Sequence, residues 1–185
     1  MIIEHYDVDG VWWSVLRSGN PRRVRFAPIP ATINYCERHD YERAKKLGAC
    51  DPGTGHDSFL KGITVRVDAY CTQRTHRQLL RYNFIVPVSA MSLEIMAIDA
   101  VNDDMLTELL SPVIRDTLRV RAETEGRDIM GDIPLNMRMG ISFITNYLQL
   151  KTILLQREHH KNPEWRVFCE WIMTLPHFKE LTGNE

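Results

Sequence analysis

The sequence contains no run of about 18 apolar residues, the length a membrane-crossing helix requires. Its first residues also lack the basic-then-apolar-then-small order of a secretory signal. Neither charge is in excess: 23 basic against 24 acidic residues leave a formal net charge of −1. The whole-molecule field therefore favours neither nucleic acid nor an acidic membrane, and any anion site has to be built locally. Cysteine is scarce, and the four present (Cys36, Cys50, Cys71 and Cys169) form no Cys-x-x-Cys pair and no dense framework. Free thiols in a reducing compartment are expected rather than disulfides. No internal repeat or low-complexity tract occurs. The expectation is a soluble cytoplasmic protein, a single domain over residues 1–185 with enough length for a real core. Membrane and bulk nucleic acid are not expected among its partners.

Metal chemistry has one opening. Cys36-x-x-His39, followed by Cys50 and His56, supplies four nitrogen and sulfur ligands of the kind zinc uses. The five residues between the second pair, with no further Cys-x-x-Cys, weigh against zinc, and no metal site is expected.

The chain reads as strands early and helices late. Val11-Trp12-Trp13-Ser14-Val15-Leu16 is β-prone, and Ser18-Gly19-Asn20-Pro21 breaks it. Arg22, Arg23 and Arg25 follow at once, either as a solvated loop or as a contact to phosphate or a partner. Residues 38–47 predict a helix with Asp40 as N-cap and Gly48 just past its end. Asp51-Pro52-Gly53-Thr54-Gly55-His56-Asp57-Ser58 is a tight loop. Such glycines can present backbone N–H groups to phosphate, although the spacing is neither that of a P-loop nor that of a dinucleotide fingerprint.

Ile63 to Asp68 alternates as a strand with one buried face. A polar helix over about 69–82 then places Arg74, Arg77 and Arg81 at i, i+3 and i+7, flanked by His76 and Asn83. Like charges on one face repel by a few tenths of a kcal/mol per pair. A ligand phosphate, water or nearby acids would relieve that. Phe84 to Val88 is extended, because Pro87 disfavours helix before it. Ser89 to Leu110 reads as helix with breaks. Ser111-Pro112 opens a helix that runs to about Gly126, and Asp128 to Pro134 is a connector.

The most informative stretch runs from Pro134 to Arg166. Read as a helix over 141–158, it puts Asn146 and Arg157 three turns apart, roughly 16 Å on one face. Tyr147, Leu150 and Leu154 lie along nearly the same stripe. Polar groups among core positions need partners: a bound polar ligand, or solvent at the edge of a surface helix. Asn162-Pro163 starts a last helix, which Leu175-Pro176 ends. Trp165, Phe168, Cys169 and Ile172 form its buried face. The order of elements favours an α+β fold.

Several of these segments resemble the flavin-dependent thymidylate synthase family. Pro134-Leu135-Asn136 is similar to that family's Pro-Leu-Asn, and Asn146 follows Asn136 at the family's ten-residue spacing. Arg157 falls where the family has a substrate-contacting arginine, His159 or His160 stands for the histidine after it, and Trp165 resembles a later tryptophan. Gly55-His56 resembles a loop before the first strand of the family pattern. The signature helix departs more: His76-Arg77-Gln78 stands where Arg-His-Arg belongs, Arg81 replaces a serine, and Asn83 survives unshifted. Gly-His-Asp-x-Phe-Leu-Lys-Gly and Pro-Glu-Trp-Arg-x-Phe-Cys-x-Trp-Ile also resemble segments of uncharacterised phage and prophage proteins.

The resemblance implies a mixed or antiparallel sheet flanked by long helices, assembled as a homotetramer. It implies FAD as cofactor, folate and NADPH as co-substrates, and a pyrimidine deoxynucleotide, dUMP or a relative, as the acceptor of a one-carbon unit at C5. By position it implies substrate contacts from Arg77, Arg81, Asn83, Ser89 and Arg157. Cofactor contacts would come from His56, His76, Asn136, Asn146, His159 and His160. No protein nucleophile is required, because the cofactor carries the hard chemistry. The departures leave a second expectation: a catalytically inactive relative that binds a nucleotide, or a phage-encoded interaction protein.

Overall fold

The computed structural model describes residues 1–19 and 35–184. Asn20 and Pro21 of the expected break, and the cluster Arg22, Arg23 and Arg25, lie outside them. Strands β1 (Ile2–Asp9), β2 (Thr64–Thr72), β3 (Val86–Ala90) and β4 (Arg138–Asn146) form one sheet in the order β1-β2-β4-β3. Where β2 meets β4, Tyr147 N donates to Ile63 O at 3.1 Å and Gln73 N to Met137 O at 3.3 Å. Numbers rise along one strand as they fall along the other, so this pair is antiparallel.

Among the described residues the helices are α1 (Val11–Arg17), α2 (Arg38–Gly48), α3 (Gln73–Leu79), α4 (Leu93–Asn102), α5 (Asp104–Thr107), α6 (Pro112–Glu125), α7 (Tyr147–Arg157), α8 (Pro163–Ile172) and α9 (Phe178–Thr182). His56–Gly62 and Gly126–Asp132 are 3-10 segments. The expected α+β class with a mixed or antiparallel sheet and helices is what the chain forms. Contacts divide the chain into two compact units, residues 1–5 with 67–143 and residues 6–66 with 144–185.

In the first unit, Ala97, Val101, Leu106, Leu118, Ile129 and Met137 belong to one buried cluster, with Tyr70 and Met91 packed against it. The caps of α6 are those the sequence indicates: Ser111 accepts from Ile114 N at 3.4 Å, and Pro112 needs no N–H in the first turn. Arg138, largely buried, pairs with Glu108 and donates to Met105 O at 3.0 Å. Strand β3 is exposed along its whole length.

In the second unit, Trp165, Phe168, Cys169 and Ile172 are buried on α8, as their spacing predicts. Asn162 accepts from Glu164 N at 3.1 Å and Pro163 opens the helix. Helices α2 and α9 approach so closely that a Cβ built on Gly48 would collide with the carbonyl oxygen of Leu181.

Several local expectations are corrected. Residues 138–146 are strand, so the helix expected from 141 begins only at Tyr147. Ile141, Phe143 and Thr145 are buried at period two, the strand signal within that stretch. Val11 to Leu16 is helical despite its β-prone residues, burying Ser14 and Val15. Helix α3 starts at Gln73, because β2 continues through Thr72. Ser89 and Ala90 belong to β3 rather than to the helical run that follows. Glu37 occupies the N-cap of α2, and Asp40 instead pairs with Arg43 at 2.6 Å inside the helix. Gly48 is its last helical residue, with Ala49 as C-cap.

Candidate functional site

The residues expected at the site fall into two groups, one in each unit. In the first, Thr72 caps α3 by accepting from Thr75 N at 3.3 Å. Arg74 and Arg77 are exposed on this helix, and Arg81 is exposed two residues beyond its end. Among the described residues no carboxylate pairs with any of the three. Arg74 N donates to Leu135 O at 3.2 Å and Gln73 N to Met137 O, so exposed Asn136 is held beside the first turn of α3. Asn83 is exposed in the turn after the helix.

His76 and Ser89 both line a small cavity with Leu79, Ile85 and Phe143. Burial lowers the His76 imidazole below its ordinary value, so the ring is neutral at pH 7. Ser89 also borders an open cavity of about 530 Å3 with Glu4, His5, Asp68 and Tyr70, in which Ser142 Oγ donates to Asp68 at 2.6 Å. This first group can offer guanidinium forks to an anion, the geometry that suits phosphate.

In the second unit, Asn146 is the N-cap of α7, its carboxamide oxygen accepting from Gln149 N at 2.9 Å. The Arg157 guanidinium lies 4.8 Å from the ring of Trp165. His160 meets the same ring edge-on, and its Nδ1 accepts from Asn162 N at 3.1 Å, which places the proton of the neutral ring on Nε2. Burial and then the Arg157 charge hold its pKa below the ordinary histidine value. His159 is exposed beside Glu158. His56 begins the 3-10 segment and lines a cavity with Trp13 and Arg17.

Two features were missed in the sequence. Lys151 is buried with its ammonium on Gly48 O, Cys50 O and Asp57; a lysine at a core position of α7 was the available signal. The Trp13 cavity had none, because α1 was read as a strand. Among the described residues no group of three or more His, Cys, Asp or Glu side chains could hold a metal ion.

No family profile matches this chain, and no curated protein matches it by sequence. Its fold, however, is that of the flavin-dependent thymidylate synthases. The structure of ThyX from Helicobacter pylori, complexed with FAD and dUMP, matches with a TM-score of 0.73 at 13% identity, over 98% of this chain and 96% of that one. A second Helicobacter pylori ThyX structure with FAD and dUMP matches with a TM-score of 0.68 at 14% identity, over 98% and 95%. The resemblance read in Pro134-Leu135-Asn136, Asn146 and Arg157 is thus borne out at the level of the fold.

Proposed function

We propose that this protein is a divergent flavin-dependent thymidylate-synthase-like enzyme. It transfers a one-carbon unit from a folate to C5 of a pyrimidine deoxynucleotide, dUMP or a relative. The observation that carries this reading is the fold shared along 98% of the chain with a synthase solved with FAD and dUMP.

The residues present suit such ligands. Arg74, Arg77 and Arg81 have no acidic partner among the described residues, which fits a phosphate. Within the first unit, Arg77, Arg81, Asn83 and Ser89 are assigned to the nucleotide, and His76 and Asn136 to FAD. Neutral His76 can donate or accept a hydrogen bond without adding charge. Within the second unit, Arg157 is assigned to substrate, and His56, Asn146, His159 and His160 to FAD. The Asn146 oxygen already caps α7, so its amide N–H2 is the part left for a ligand. Bound flavin would supply the hydride, with NADPH as its reductant; the protein positions and polarises. Ile95, Ile98, Val113, Ile114 and Val120 are exposed on α4 and α6, and this apolar face supports a homo-oligomer, a tetramer by resemblance.

A catalytically inactive, nucleotide-binding relative is the second reading, favoured by Gln78 and Arg81 standing where the family has arginine and serine. The first test is the visible absorption spectrum of freshly purified protein, followed by thermal shift on titration with FAD. A flavin band, or clear stabilisation by FAD, is expected. Turnover of dUMP or dCMP with a methylene-bearing reduced folate and NADPH would then remove the inactive reading. Colourless protein with no shift would sink the enzyme reading.

A further inference from the structure

The corner between α7 and α8 lies wholly within the second unit and is held by a run of local hydrogen bonds. His160 N donates to Arg157 O at 3.0 Å, and Asn162 N donates to His160 Nδ1 at 3.1 Å. Asn162 then turns both of its oxygens to the next helix. Its side chain accepts from Glu164 N at 3.1 Å and its carbonyl from Trp165 N at 3.1 Å. The backbone from Arg157 to Trp165 is therefore set by the chain itself.

Trp165 is wholly buried, and its ring is anchored edge-on against Phe168 with centroids 6.0 Å apart. Two polar side chains rest on it: the Arg157 guanidinium 4.8 Å from its centroid, and the His160 ring at 6.3 Å, inclined by 69°. A guanidinium at that distance is attracted by the ring quadrupole, and tryptophan is the strongest such platform. His160 Nδ1 already accepts, so the proton of the neutral ring is on Nε2. Arg157 and His160 are both half-buried, so each reaches solvent from a fixed base. What they offer outward is N–H donors only.

We propose that Trp165 is a positioning residue, whose buried indole holds Arg157 and His160 in one arrangement as a preformed set of donors for ligand oxygens. The proposal rests on the reading above, which assigns Arg157 to substrate and His160 to FAD. It adds a residue too buried to touch either ligand. A long arginine side chain that is free in solvent loses rotamer freedom when it binds. One already laid on a rigid ring has lost that freedom on folding, so the ligand does not bear the cost. Because a single indole carries both side chains, a change at position 165 is felt by both ligands.

The test is calorimetric titration of the full chain with dUMP and, separately, with FAD. Wild type, Trp165→Leu, Trp165→Phe and Ile172→Ala are compared, each with its melting temperature. Trp165→Leu is expected to weaken both ligands about tenfold. Trp165→Phe keeps an aromatic face and should recover most of both affinities. Ile172→Ala, at a buried position on the same helix, should melt lower with both affinities kept. NMR of ligand-free wild type is the second measurement. Arg157 side-chain protons should be shifted upfield by the indole, and His160 should be the Nε2–H tautomer. This arm leaves the core untouched, so it decides the matter should Trp165→Leu not fold. Wild-type affinities in Trp165→Leu, weakening of one ligand alone, or equal weakening in Ile172→Ala overturns the proposal. Unshifted Arg157 protons or an Nδ1–H ring at His160 does the same. Each of these outcomes leaves the flavin and nucleotide reading standing. Wild type that binds neither dUMP nor FAD defeats that reading itself, and the positioning role with it.

Discussion

The ammonium of Lys151 lies 3.0 Å from Asp57 Oδ2, with both side chains almost sealed from water. Its other contacts, Gly48 O at 2.7 Å and Cys50 O at 2.8 Å, meet carbonyls at the end of α2. All three ammonium protons therefore have acceptors. Lys151→Met strands a buried carboxylate and two carbonyls, and a loss of about 3–5 kcal/mol is expected in urea unfolding. Adding Asp57→Leu should recover part of it. A single variant within about 0.5 kcal/mol of wild type would show that the pair contributes little.

Asn146 caps α7, so Asn146→Ala is expected to cost about 1 kcal/mol. Asn146→Asp, which can accept the same Gln149 N–H, should stay near wild type. Equal losses in both variants would rule out capping as the source.

Arg77 on α3 and Arg81 just beyond it, with no acidic partner among the described residues, give a binding prediction. Arg77→Ala and Arg81→Ala should each weaken dUMP about tenfold at low salt by calorimetry, with melting unchanged because both side chains are exposed. Undiminished affinity in both would move the nucleotide elsewhere.

His76 and His160 give a pH prediction. Both have folded pKa values below the ordinary 6.5, from burial in each and also from Arg157 at His160. The unfolded chain then binds protons more readily than the folded one. Their contribution is fully present above 6.5 and is lost as pH falls through the depressed folded values. Melting temperature should drop from pH 7.5 to 5.5, less steeply in His76→Gln. A His76→Gln slope as steep as wild type would acquit that ring.

Cys169 is buried and its thiol is pushed up to about 11, chiefly by burial. It should resist iodoacetamide in the native protein at pH 7.5 and react on unfolding, as read by mass spectrometry. Rapid native labelling would mean that α8 opens readily.

Where local chemistry and tertiary demand agree, the sequence was legible. Ser111-Pro112 and Asn162-Pro163 open α6 and α8 as read, because their capping residues act on their own first turns. The misreading at 141–146 came from length: an apolar run joined to a real helical stripe hides the change from period two to period 3.6. At Val11 to Leu16 the burial of Ser14 and Val15 overrode β propensity. Arg74, Arg77 and Arg81 were legible as charges on a polar segment, whereas the helix proved to be seven residues long and leaves Arg81 beyond its end. The shared cavity of His76 and Ser89, and the Trp13 cavity, depend on residues far apart in the chain, which periodicity cannot join.

Position 48 joins two of these strands of argument. The missing side chain admits the Leu181 carbonyl, while the carbonyl of the same residue receives Lys151. Two unrelated contacts thus converge on one peptide unit, and every other amino acid violates the first. In a randomised library this position should tolerate no replacement, whereas Gly131, with open space around it, should drift freely. Mutational intolerance here would then be a record of packing and would say nothing about catalysis.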